Sequence, residues 1–280
     1  MLSPEQLKEK IRSMSRDKNL SPQEVLQMYL FERVLERLAK SKYVKNFILK
    51  GGLLISSMIG IEERTTMDID TTVKGISMDQ AVIVPIIQEI LSMDIGDGVK
   101  FEYDKIEFIR EDDDYNNFRV YFNAKYGKIN NPMKMDITTG DEITPSAIEY
   151  EYITIFGDGV ININTYNLET ILAEKYETVL RRNIANTRAR DFYDLYTLYA
   201  ICQTNFNPFI FQEALRRTSK KRASIEQVKN WKSIINEIAI EPEIIKLWNN
   251  YKNEYIYAKD IDFNDVINTL KELGETLDRE

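Results

Sequence analysis

Two kinds of hydrophobic periodicity divide this chain, and they bound what it can fold into. From about residue 99 to 156 the pattern alternates. Phe118, Val120, Phe122, Ala124 and Tyr126 interleave strictly with Arg119, Tyr121, Asn123 and Lys125, as in a half-buried strand. Residues 99–110 read as its partner, with a slip near Asp104 that a bulge would produce. Glu111 to Asp114 with Tyr115 would be the hairpin connection, a solvated acidic turn. Met133, Met135 and Ile137 share one face of a third strand, and Tyr152 to Phe156 reads as a fourth. After about residue 165 only helical spacing remains. Asn167 can cap a first helix carrying Leu168, Ile171, Leu172 and Val179, and further helices are expected near 189–203, 207–218, 225–238, 242–257 and 263–277. The expected class is therefore α+β, with a mixed domain over 1–162, a helical domain over 163–280 and the join near Gly157-Asp158-Gly159.

Helix starts at the amino-terminal end are legible from capping chemistry. Ser3-Pro4-Glu5-Gln6, Ser21-Pro22-Gln23-Glu24, Ser77-Met78-Asp79-Gln80 and, later, Ser224-Ile225-Glu226-Gln227 all fit a capping box, in which the serine accepts from an early amide and the fourth residue reaches back. Helices are expected at about 4–15, 22–41 and 78–93.

Composition removes whole classes of chemistry. The 280 residues include no histidine and one cysteine, Cys202. Ser-His and Cys-His nucleophiles, histidine–zinc sites and disulfide frameworks are excluded together. Catalysis must rest on carboxylates, lysine, arginine, hydroxyls or backbone amides, with a hard metal ion as the natural helper. The net charge of −8 argues against coating nucleic acid by bulk positive charge. Two local basic clusters, Arg181, Arg182, Arg188 and Arg190, and Arg216, Arg217, Lys220, Lys221 and Arg222, are candidate RNA contacts, or else solvated helix faces. No stretch approaches the roughly 20 apolar residues of a membrane span, and Met1-Leu2-Ser3-Pro4-Glu5 lacks a signal-peptide pattern. A cytoplasmic protein with no membrane partner is expected.

Four segments carry the candidate chemistry. Phe47 to Ser57 reads as a strand, a Gly51-Gly52 turn and a helix start, whose free amides suit an anion such as a triphosphate. In Arg64-Thr65-Thr66-Met67-Asp68-Ile69-Asp70, strand geometry puts Asp68 and Asp70 on one face and Met67 and Ile69 on the other. Two such carboxylates suit Mg²⁺ or Mn²⁺. In Met133-Lys134-Met135-Asp136-Ile137 the methionines face the core, so Lys134 and Asp136 face away, and Asp136 can supply a third carboxylate. Lys175 and Asp191 stand sixteen residues apart, roughly 24 Å along one straight helix. A break at Asn183 to Thr187, capped by Asn186 or Thr187, would let two helices bring them together.

Taken in order, these elements resemble the AbiEii/AbiGii toxin family of nucleotidyltransferases, the toxin half of type IV abortive-infection toxin–antitoxin pairs. The matching residues are Leu49-Lys50-Gly51-Gly52, Arg64 to Asp70, Lys134-Met135-Asp136-Ile137, Glu174-Lys175 and Arg188 to Leu195, within about 47–200. The resemblance implies a polymerase-β-like nucleotidyltransferase core with a helical carboxy-terminal region, NTP as substrate and Mg²⁺. Some relatives modify the 3′ acceptor end of tRNA and so block translation. By motif, Asp68, Asp70 and Asp136 are the implied metal ligands, Lys175 the triphosphate lysine and Asp191 a further essential acid. Lys50, Arg64 and Lys175 are candidates to neutralise phosphate charge. The family often carries Ser or Thr after the glycines where this chain has Leu53, leaving Ser56 or Ser57 to replace that hydroxyl. A monomer is expected, with an antitoxin that forms no stable complex with it. A kinase-like phosphotransferase and a non-catalytic metal- or nucleotide-binding protein remain the alternatives.

Overall fold

A computed structural model describes residues 2–109 and 117–278; the acidic connection at Glu111 to Tyr115 lies outside them. By its internal contacts the chain forms two units, residues 1–141 with 147–165, and residues 142–146 with 166–280.

The first unit opens with α1 (Pro4–Asp17) and α2 (Pro22–Lys40). Both begin with complete capping boxes, Ser3 with Gln6 and Ser21 with Glu24. Then follow β1 (Phe47–Lys50), α3 (Gly51–Ile59), β2 (Ile69–Val73), α4 (Gln80–Ser92), β3 (Lys100–Phe108), β4 (Phe118–Tyr126), β5 (Ile129–Thr139), β6 (Ile148–Ile153) and β7 (Val160–Thr165). Among the described residues the strands form one mixed seven-stranded sheet in the order β3-β4-β5-β2-β1-β7-β6. β2 runs parallel to β5 and β1 parallel to β7, while the other neighbours are antiparallel. The bulge expected near Asp104 falls between Tyr103 and Lys105. The core is built from the inward positions of these strands, among them Ile48, Leu49, Ile69, Val120, Phe122 and Ile137, with Leu53 and Leu54 of α3 packed on them.

Four expectations change. Asp79, not Ser77, caps α4, its carboxylate accepting from the Ala81 amide at 2.7 Å. The fourth strand begins at Ile148 rather than Tyr152, and β7, unforeseen, joins the sheet beside β1. Met67 does not enter a strand and is exposed.

Glu32 of α2 is fully buried, and its Oε1 accepts from the Ile155 amide at 2.5 Å. Burial pushes its carboxyl up from 4.5 to about 8, against that hydrogen bond and Arg33. A proton held more tightly in the folded chain favours folding below the unfolded value, and that contribution is lost as pH rises through the folded one. Stability is therefore expected to decline between pH 4.5 and about 8, and Glu32→Gln to flatten the decline. Urea midpoints at about pH 5 and about pH 8.5 measure it; equal pH slopes for the two proteins would rule it out.

The second unit is helical among its described residues: α5 (Leu168–Arg182), α6 (Ala189–Cys202), α7 (Pro208–Lys221), α8 (Ile225–Lys229), α9 (Trp231–Ile240), α10 (Pro242–Glu254) and α11 (Phe263–Glu275), with short 3₁₀ turns between some of them. Leu172, Tyr176, Leu195, Phe211, Trp248 and Leu270 are central to its core. The single helix expected over 225–238 is two, meeting at Asn230. Ser224 makes no side-chain cap; its hydroxyl donates to buried Glu177 at 2.6 Å instead. No helix among the described residues is long and apolar enough to cross a membrane.

Candidate active site

The centre of the sheet positions the acids. β2 and β5 pair in parallel with Asp70 directly beside Asp136. Side chains at paired positions lie on one face of a sheet. On both strands the residues flanking these acids, Ile69 and Thr71, Met135 and Ile137, are buried. Asp68 immediately precedes β2. Asp70 and Asp136 thus share one side of the sheet, from two strands far apart in the chain, while Asp68, expected on the same strand face, lies just outside β2.

Asp70 is the most constrained of them. On its other flank Lys50 of β1 is its cross-strand partner, and the Gly52 amide at the start of α3 donates to its carboxylate. Gly51 adopts a left-handed φ of +67°, and a Cβ there would lie 2.1 Å from Asp70 Oδ2. A Cβ on Gly52 would meet Thr66 Oγ1 at 2.8 Å and Arg64 Nη2 at 3.0 Å. The two glycines therefore let the β1–α3 turn close onto Asp70 and the Arg64-Thr65-Thr66 loop. Burial pushes the Asp70 carboxyl above the ordinary value. The carboxylates of Asp136 and Asp68 push the same way, against Lys50 and the Gly52 amide. Lys50 and the Gly52 amide offset that burial only in part.

The other acids are already engaged. Arg119 of β4 stands opposite Asp136, and its Nε and Nη2 donate to Asp136 Oδ1 and Oδ2, both at 2.7 Å. That pair holds the guanidinium well above its usual range. Lys134 Nζ lies 2.9 Å from Asp68 Oδ1, a buried oxygen with no hydrogen bond. Lys50 Nζ pairs with Asp141 Oδ2 at 2.5 Å. Burial alone would raise the Asp141 carboxyl, but Lys50 and the hydroxyls of Thr138 and Thr72 hold it well below the ordinary carboxylate range. Among the described residues no three acidic side chains are gathered closely enough to hold a metal ion as they stand. The donor chemistry nonetheless suits a hard divalent cation: three carboxylates, no sulfur and no imidazole.

Arg64 is buried, its guanidinium donating to the Thr65 carbonyl, and its own carbonyl accepts from Ser56. Ser56 is fully buried, so its hydroxyl ties α3 to the following loop. Ser57 donates to the Leu54 carbonyl and lies 3.1 Å from the Tyr150 hydroxyl. Sequence reasoning missed Arg119 as a partner of Asp136, and Asp141 altogether.

In the helical unit the expected break is present. A 3₁₀ turn over Asn183–Ala185 separates α5 from α6; the N-cap of α6 is Arg188, without a side-chain cap, rather than Asn186 or Thr187, and Asn186 Oδ1 accepts from the Arg188 amide at 3.0 Å. Lys175 Nζ reaches Asp191 Oδ1 at 2.9 Å and Asp194 Oδ2 at 2.7 Å. Asp194, also missed, is fully buried; it follows Asp191 by three residues on the same helix face. The basic clusters divide. Arg222 is clamped by Glu177 at 2.7 Å and Glu174 at 3.3 Å, and Arg216 and Arg217 share Glu213. Arg190 stacks on Tyr255, while Arg188, Lys220 and Lys221 are exposed.

A family model described as nucleotidyl transferase AbiEii toxin, type IV TA system, matches residues 33–269. A crystal structure titled as a nucleotidyltransferase candidate from H. pylori superposes with a TM-score of 0.52 at 16% identity, over 93% of this chain and 98% of that one. The crystal structure of JHP933 from Helicobacter pylori gives the same TM-score and identity over 93% and 95%. At that identity the likeness speaks to the fold. No curated protein sequence matches.

Proposed function

Since the chain belongs to the AbiEii family of nucleotidyl transferase toxins, components of type IV toxin–antitoxin systems, we propose that it transfers a nucleoside monophosphate from an NTP to an RNA hydroxyl, that of a tRNA 3′ end, with Mg²⁺ or Mn²⁺. The acceptor oxygen bonds to the α-phosphorus, and the bond from that phosphorus to the bridging oxygen breaks, releasing pyrophosphate. The outcome is blocked translation and growth arrest, the abortive-infection response. The toxin acts as a cytoplasmic monomer, and its antitoxin relieves the arrest without a stable complex.

One observation carries this reading: Asp70 and Asp136 stand in register on neighbouring strands, with a glycine turn and helix start closed onto Asp70. Divalent ions bound there would supply charge neutralisation and a lowered pKa for the attacking hydroxyl. Asp68 and Asp70 hold the triphosphate side and Asp136 the acceptor side. Lys50 sits beside Asp70 and, with Arg64, offsets phosphate charge as it shifts to the leaving group. Gly51 and Gly52 keep the backbone low enough for a phosphate to approach. The family resemblance gives Lys175 its triphosphate role and Asp191 that of a further essential acid. Arg188, Lys220 and Lys221, all exposed, are the basic residues we assign to RNA phosphates.

Incubation with each labelled NTP, Mg²⁺ and total RNA tests the reading. The expected products are pyrophosphate and labelled RNA in the tRNA size range. A nucleoside diphosphate with a phosphorylated acceptor would instead establish the phosphotransferase alternative.

A further inference from the structure

Two basic side chains occupy the acids that would have to gather around a metal. Arg119 grips both oxygens of Asp136 at 2.7 Å, a two-pronged fit that a planar guanidinium makes and an ammonium cannot. Lys134 holds Asp68 at 2.9 Å. In the β4–β5 ladder Arg119 faces Asp136 and Tyr121 faces Lys134, so both cations and Asp136 share one face of the sheet. The oxygens a divalent ion needs are the oxygens these cations hold.

We propose that Arg119 and Lys134 are exchangeable counter-ions of the site. They keep Asp136 and Asp68 engaged in the metal-free chain and so set the divalent-ion concentration at which the site fills. When metal arrives with nucleotide they release the acids, and Arg119 transfers its fork to a phosphate oxygen. The inference rests on the nucleotidyl-transfer reading, since it takes the acids as metal ligands. Arg119 is placed for such an exchange. Its side chain is about one-third exposed, against 15% for Asp136, so it sits at the rim and can swing out. Phosphate presents the same pair of acceptors as carboxylate, so the guanidinium leaves one two-pronged partner for another. Asp70, pinned by Gly51 and the Gly52 amide, stays in place as the fixed ligand. Arg119 thus acts first through Asp136 and then on the nucleotide itself.

Mn²⁺ titration without nucleotide, read from the electron paramagnetic resonance signal of free Mn²⁺, separates this from a structural role. Arg119→Gln is expected to bind Mn²⁺ about tenfold more tightly than the unsubstituted chain, because a competing positive charge beside a dication is gone. Arg119→Lys, which keeps the charge but loses the fork, is expected to fall between the two. Loss of a merely structural pair would loosen the acids and weaken binding. Unchanged or weaker Mn²⁺ binding in Arg119→Gln, or weaker binding in Arg119→Lys, overturns the exchange while the wider reading stands. Equal Mn²⁺ binding by the unsubstituted chain and Asp70→Asn removes the metal site itself, and the inference with it.

Discussion

Replacing Asp70 with asparagine is expected to lower nucleotide incorporation by about a thousandfold or more while the chain stays folded. The substitution removes one negative charge and almost no volume. On the proposed role, that charge is what draws the divalent ion to the fixed ligand of the site. The fold has little reason to suffer. Asp70 is a carboxyl pushed upward by burial and by Asp136 and Asp68, so its charge opposes folding more than it helps. The amide oxygen of asparagine can still accept from Gly52. The melting temperature should therefore equal or exceed that of the unsubstituted chain. Full incorporation by Asp70→Asn would end the assignment of the catalytic acids, and a large fall in melting temperature would contradict the electrostatic account of Asp70.

Gly51→Ala is expected to do the opposite, damaging fold and site together. Gly51 is held at φ +67°, which alone costs a non-glycine residue about 1–2 kcal/mol. The added methyl would also lie 2.1 Å from Asp70 Oδ2 and 2.6 Å from its Cγ, and Asp70 is held by the β2 backbone and cannot step aside. Overpacking of this kind adds about 1–3 kcal/mol. Gly157 provides a control, because it has φ +66° and nothing within 4 Å of its would-be Cβ. Gly157→Ala should show the backbone cost alone. Urea unfolding of both variants measures the difference. Equal losses would mean that Asp70 yields to the methyl and that the turn does not fix its position.

Much of the fold could be read from local chemistry, and the limits are physical. The strict alternation of β4 and the methionine spacing of β5 place both strands and turn Asp136 away from the core. The α5–α6 break follows from the distance that one helix would impose between Lys175 and Asp191. The pairing of β2 with β5 is different in kind. It joins segments more than sixty residues apart, and no short-range pattern encodes its register. Arg119 was within reach. A two-residue turn at Gly127-Lys128 fixes every pair along the β4–β5 hairpin, including Arg119 opposite Asp136. Asp141 was not, because it lies past the end of β5 and meets Lys50 only once β1 is in place. β7 went unread although Ile161 and Ile163 alternate with Asn162 and Asn164, because the nearby glycines and the onset of helices suggested a boundary there. Ser56 shows the reverse limit, since a hydroxyl one turn into a helix gives no sign in sequence of whether it faces a ligand or a loop carbonyl.

The order of strands has a consequence for synthesis. Asp68 and Asp70 leave the ribosome early, and β2 has β1 before it to pair with, but its other neighbour, β5, which ends at Thr139, follows only later. A nascent or prematurely ended chain carries two of the three acids and no partner strand to align the third. On the proposed assignment of the acids, a chain stopped before β5 lacks Asp136 beside Asp70 and is expected to be inactive.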